Sequence, residues 1–169
     1  MSISKALSWR FNDVSSLWRP LANIELVAIR EDYAEFEATD DPQLISPILS
    51  LDLSTVRSMA IVYAVSGCEH SMGQVFWGTE NNGFAFSESD SATFEVMSGD
   101  FKRYEVQLKG KMPKSEYGLL RFHPTQCPAR VKIRSAELLL EGSKVARISN
   151  HLCNTLLSKR RGRLNSIHR

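Results

Sequence analysis

The sequence predicts an all-β fold: an antiparallel β-sandwich of the jelly-roll kind, followed by a C-terminal amphipathic basic helix. Three observations lead there. From Asn23 to Leu140 the apolar residues recur mostly with period two, which places alternate side chains on opposite faces of a strand. Short runs rich in Val, Ile, Phe and Tyr are separated by Gly, Pro, Asn, Asp and Ser, a spacing that suits a sandwich of roughly eight or nine strands. After Gly142-Ser143 the period changes: Val145, Ile148, Leu152 and Leu156 follow at helical spacing.

The elements read in order. The first 19 residues form an N-terminal segment with Trp9, Phe11 and Trp18, ended by Pro20. The sandwich module occupies 20–142. IELVAI (24–29) and AEFEAT (34–39) flank a hairpin turn at Arg30-Glu31-Asp32-Tyr33. VRSMAIVYAVS (56–66) is a long strand, then come QVFWGT (74–79) and TFEVM (93–97). FWGT and FAFSE read as two successive strands joined by a tight turn at Glu80-Asn81-Asn82-Gly83. KRYEVQL (102–108), GLLRFH (118–123), RVKIRS (130–135) and AELLLE (136–141) complete the set. Residues 143–169 read as the helix and its tail, with Ser143 as N-cap, Gly162 as stop and Lys159, Arg160 and Arg161 in the last turn.

Charge divides the chain at the same place. All 19 acidic residues lie at or before Glu141, with 14 of the 21 Lys and Arg. The body is therefore 14 − 19 = −5 and the tail +7, the pattern of a domain with an appended segment that has its own partner. The stripe Val145, Ile148, Leu152, Leu156 needs a surface to cover it, so docking on the body or a homo-oligomer through this helix is expected. A single basic cluster without interleaved aromatics, on an acidic body, gives no expectation of nucleic-acid binding. No run approaches the ~20 apolar residues of a transmembrane span. Cys68, Cys127 and Cys153 lack metal-ligand spacing and read as reduced thiols of a cytoplasmic protein.

The sequence contains no nucleophile elbow, no phosphate-binding glycine loop, no HExxH and no dinucleotide fingerprint. Asp40-Asp41, Glu80 and Glu88-Ser89-Asp90 are loop carboxylates. They make an acid–base pair only at a fixed separation, so a hydrolase or lyase is a minor reading. Asp40, Asp41, Asp52 and Glu137 give calcium some oxygen ligands, also a minor reading, and no cofactor is expected. Sugar recognition fits the residue types better: flat rings stack on sugar faces while amide, carboxylate and guanidinium groups orient the hydroxyls. The residues singled out are Trp77, Glu80, Asn82, Glu88, Tyr104 and Arg121. Phe76 and Trp77 must point to opposite faces, so one is core and the other faces out or under a loop.

The 20–141 span resembles the galactose-binding-like or carbohydrate-binding-module-like β-sandwich domains of bacterial surface-polysaccharide proteins, which sit beside glycosyltransferase or methyltransferase domains. Asp41-Pro42-Gln43-Leu44, Ser46-Pro47 and Leu51-Asp52-Leu53 look like the opening motif of such modules. Gln74 to Thr79 with Phe86 to Ser91 looks like the central strand pair, and Phe101 to Leu108 like a following strand. Leu120-Arg121-Phe122-His123-Pro124, Pro128 and Val131-Lys132-Ile133 resemble the closing motif. Three positions depart: His123 stands for an Asp, Ala129 for a Gly and Phe101 for a Trp. The resemblance implies a non-catalytic accessory module of polysaccharide biosynthesis that binds a glycan or polysaccharide intermediate, with a glycosyltransferase as a partner. The alternative is a protein-interaction module that docks a partner enzyme and binds no sugar.

Overall fold

The computed structural model describes residues 6–13, 18–141 and 147–148. The strands are β1 (Ala6–Arg10), β2 (Arg19–Ile29), β3 (Ala34–Ile45), β4 (Leu49–Ser50), β5 (Val56–Ser66) and β6 (His70–Thr79), followed by β7 (Ser91–Met97), β8 (Lys102–Gln107), β9 (Gly118–His123), β10 (Ala129–Leu140) and β11 (Arg147–Ile148). Every pairing is antiparallel. One layer runs β2-β3-β10-β5-β8, with β1 added to the far half of β10. The other runs β4-β9-β6-β7, with β11 on β4.

β3 belongs to both layers. Its first half pairs with β10, from Ala34↔Ile133 to Ala38↔Ala129. Its end pairs with β9, Leu44↔Phe122 and Ile45↔Arg121. Between them Asp41 adopts φ 53°, an unusual left-handed conformation that Asp tolerates better than bulkier residues. Pro42, which lacks an N–H, follows it. On β2, Asn23 (φ 56°) bends the companion strand, and the pairing skips from Ala22↔Gln43 to Ile24↔Ala38. The Asp41-Pro42-Gln43-Leu44 motif is thus the crossing between the sheets.

The core fills the space between layers. From the first come Phe36, Met59, Ile61, Tyr63, Val65, Val106, Val131, Ile133 and Leu138; from the second, Leu44, Val75, Trp77, Val96, Leu120 and Phe122. Tyr63 and Phe122 meet edge to face across the gap at 5.4 Å. Tyr63 is fully buried, and its hydroxyl donates to the Pro124 carbonyl at 2.9 Å, so its polar tip is satisfied. Trp9, Phe11 and Trp18 close one corner against Phe36. The N-terminal segment therefore supplies β1 and three core rings.

Four sequence expectations change. The two strands expected at 130–135 and 136–141 are one strand, β10, with a register shift between Ile133 and Ser135. FAFSE is a loop, because Glu80–Asn82 and Glu88–Asp90 are short 3-10 turns and β6 pairs with β7 beyond them. Of the span expected as the C-terminal helix, Arg147–Ile148 is an extended strand on β4, and Val145, Leu152, Leu156, Arg160 and Arg161 lie outside the described residues. Cys68 and Cys127 are not free thiols. They form a disulfide that joins the β5–β6 turn to the loop before β10, and the expectation of a cytoplasmic location loses that support. No helix among the described residues is long and apolar enough to cross a membrane.

The disulfide closes a loop of 59 residues in sequence separation. A bridge that constrains the unfolded chain over such a loop contributes roughly 2–4 kcal/mol. Replacing Cys68 and Cys127 by Ala is expected to lower stability by about that much, read as a fall in the urea midpoint. An unchanged midpoint would show that the bridge contributes nothing.

Candidate functional site

The six residues chosen from sequence do not form one site. Trp77 points inward and is only 2% exposed, so it offers no ring to a ligand. Tyr104 is half-buried beside Tyr63 and Phe94. Asn82 accepts from the Thr79 N–H and donates to the Ala85 carbonyl, shaping the turn. Glu80 accepts from the N–H groups of Glu116 and Tyr117. The Glu116 bond outweighs the opposing effect of burial and, with Tyr117, holds the Glu80 carboxyl below its ordinary range. Glu88 and Arg121 do come together, on the outer face of the β4-β9-β6-β7 sheet.

That face is built by cross-strand register. Arg121 lies opposite Phe76, His123 opposite Gln74, and Ser91 opposite Phe76 on the other side. The loop after β6 folds back over it. A Cβ on Gly78 would lie 2.8 Å from the Phe84 carbonyl carbon, so glycine is what lets the loop approach. Phe86 from that loop and Phe76 from β6 hold the Arg121 guanidinium between their rings, at 4.7 and 4.2 Å. Gln74 donates to Glu88 Oε2 at 2.8 Å and to Ser91 Oγ at 2.9 Å.

His123 completes the group. Its Nδ1 is 2.8 Å from Asp41 Oδ1, and its ring lies 4.8 Å from that of Phe76. Asp41 also accepts from Gln43 Nε2 at 3.1 Å. Burial is the largest influence on His123 and pushes its pKa below 6.5; the Asp41 carboxylate opposes this, while the Arg121 guanidinium adds to it. The shift favours the neutral imidazole, and the tautomer that donates its Nδ1 proton to the Asp41 carboxylate leaves a lone pair at Nε2. Nε2 and the Arg121 Nε are both buried without a protein partner. Burial also lowers the Arg121 pKa, against the pull of Asp41 and Glu88, but an arginine remains charged.

The opposite outer face, on β2-β3-β10-β5-β8, carries a different arrangement that the sequence reading did not single out. The outward positions of β5 are small: Ser58, Ala60, Val62 and Ala64. Longer side chains from β10 and β8 rise on either side, and Arg103 reaches across to Glu137 at 3.4 Å. At one end Tyr33 and Phe101, both half-buried, meet at 5.5 Å. Lys132 lies 5.5 Å from the Tyr33 ring and Arg134 4.0 Å from the Phe101 ring. Asp32 holds Arg134 by two contacts of 3.0 and 2.8 Å. The signal in sequence was weak, because Tyr33 and Phe101 are 68 positions apart and each sits in a turn.

Three of the four carboxylates weighed for calcium are separately engaged. Asp52 accepts from Ser54 and from the Ser115 N–H; burial opposes its charge, but these bonds prevail and lower its pKa. Asp41 is held by His123 and Glu137 by Arg103. Among the described residues no three His, Cys, Asp or Glu cluster. A depression of about 490 Å³ lies where β2 and β3 bend together, lined by Pro20, Leu21, Asn23, Glu37 and Thr39 among others, without an aromatic ring.

No family model matches the sequence, and no curated protein does. Solved structures do match the fold. The CBM22-1 xylan-binding domain of Paenibacillus barcinonensis Xyn10C superposes with a TM-score of 0.56 at 11% identity, covering 85% of this chain and 99% of that one. A mutant of the family 29 carbohydrate-binding module CBM29-2 gives 0.55 at 9% identity over 80% of this chain and 85% of that one. The agarase AgWH50C gives 0.55 at 10% identity, with 83% of this chain covered but only 25% of the enzyme. At such identities the likeness shows the fold alone: an antiparallel β-sandwich shared with carbohydrate-binding modules.

Because the folded protein holds His123 below the unfolded value of 6.5, stability from the neutral imidazole is complete above that pH and is lost as pH falls through the folded pKa. The urea midpoint is expected to decline on acidification from pH 6.5, and less steeply in His123→Gln. Equal slopes would remove His123 from the titration. Gly78→Ala is expected to cost about 1–3 kcal/mol, because backbone rather than a flexible side chain stands in the way.

Proposed function

We propose that this chain is a non-catalytic carbohydrate-recognition module whose binding surface is the outer face of β2-β3-β10-β5-β8. The observation that carries the proposal is the Tyr33–Phe101 pair: two half-buried rings in contact, set on a sheet face floored by small residues. Rings held in this way present apolar area at little entropic cost. Lys132 over one face of the Tyr33 ring and Arg134, fixed by Asp32, over one face of the Phe101 ring supply donors, and Glu137 and Glu105, both opposite Ala60, supply acceptors further along the face. The fold shared with modules named for xylan and other carbohydrate binding supports the same reading. An accessory role in bacterial surface-polysaccharide biosynthesis, beside a glycosyltransferase, rests on the sequence resemblance. The second reading, a protein-docking module without sugar binding, is favoured by one observation: β2 exposes Leu21, Leu26, Val27 and Ile29 along an edge.

A glycan array followed by calorimetry tests the proposal. Tyr33→Ala and Phe101→Ala are each expected to weaken binding roughly tenfold or more, since a buried aromatic anchor is worth at least ~1.4 kcal/mol. Arg121→Ala and Glu88→Ala should leave affinity unchanged. The reverse pattern would move the site to the opposite sheet, and silence across neutral and acidic glycans would favour protein docking. Trp77→Ala is no test of binding here, because emptying that core position is expected to cost about 3–5 kcal/mol of stability.

A further inference from the structure

β2 is the edge of its sheet: among the described residues it pairs with β3 only. Edge strands are usually blunted by charge, proline or a bulge. β2 has Arg19 and Pro20 at its start and a register irregularity at Val27. Its C-terminal half, from Ile24 to Ile29, carries Glu25 as its one charged residue. Leu26 is 48% exposed, Val27 53% and Ile29 40%. An unpaired backbone edge beside contiguous exposed aliphatic side chains is a surface for strand addition.

The side-chain pattern of this edge is self-complementary. Phe36 and Ala34 point into the sandwich, so Leu26 and Ile29, their register partners, lie toward that side. Glu37 and Glu35 lie on the outer side, as do their partners Glu25 and Ala28. Arg30 reaches Glu35, at 3.5 Å, on that same outer side. We propose that β2 pairs antiparallel with β2 of a second copy of this chain, about a two-fold axis between Val27 and Ala28. Leu26 then faces Ile29 of the second copy on the inner side, and Glu25 faces Arg30 of the second copy on the outer side. Each contact occurs twice, as isologous symmetry requires. Like charges meet nowhere in this register, whereas centring the axis on Glu25 would oppose two carboxylates. Pro20, which has no N–H to donate, lies outside the paired stretch.

A two-fold axis of this kind stands perpendicular to the sheet, so both outer faces look the same way. If the proposed glycan reading holds, a polymer on one face continues onto the next, and avidity rises with chain length. The pairing itself does not depend on that reading and is tested without sugar.

Light scattering on the full chain over a concentration series should show the mass rising from one copy to two. Val27→Lys should hold the protein at one copy at every concentration, with circular dichroism unchanged because the position is exposed. Glu25→Arg alone and Arg30→Glu alone should each weaken the dimer at least tenfold, and the two combined should restore it. A protein that stays monomeric throughout overturns the proposal. So does a dimer indifferent to Val27→Lys and to the charge exchange, since its interface must then lie elsewhere.

Discussion

The structure depends on the passage of β3 from one sheet to the other. A strand can change layers only by breaking its ladder, and the broken groups must then find partners. Asp41 meets this need in several ways. Its backbone takes the left-handed turn, its carbonyl accepts from Asn23 at 3.5 Å, and its carboxylate takes bonds from Gln43 and His123. Through His123 the bend is tied to β9, and through Asn23 to β2. Polar chemistry on the second sheet is thus organised by the same residue that lets the first sheet end.

His123 makes this economy visible. It lies next to a crossing that already contains Asp41. An aspartate there would place two carboxylates together. An imidazole instead gives Asp41 a donor, and its neutral state lets it pack on Phe76 close to a guanidinium.

The fold was legible in the sequence where period-two patterning reports one buried face. β5 and β9 have the boundaries expected of them. The pattern failed where backbone rather than side chains decides. FAFSE alternates like a strand, yet Gly83 and Phe84 both adopt positive φ, which turns the chain onto the face of β6. Within β10 the irregularity at Arg134 resets the alternation, so one strand reads as two. The helical stripe of the tail included Ile148, but that residue pairs with Leu49 in a strand. Arg121 and Glu88 stood out in the sequence because their chemistry is conspicuous, and they lie together on the face opposite the proposed binding surface. Tyr33 and Phe101 were missed because only the strand order β3-β10-β5-β8 brings their turns together. Trp77 was overvalued because alternation alone cannot say which face of a strand is the inside.

β10 occupies a particular place in the order of synthesis. It is the last long strand among the described residues, yet it lies between β3 and β5 and also carries β1. Until β10 has left the ribosome, the inner edges of β3 and β5 lack the strand that joins them in the first layer. Most of the apolar surface is translated before the strand that seals it. Non-local pairing of this sort folds slowly, and unpaired edges are exposed meanwhile. A chain cut short before β10 would keep β3 joined to β9 in the second layer but leave β3 and β5 without the strand that lies between them in the first.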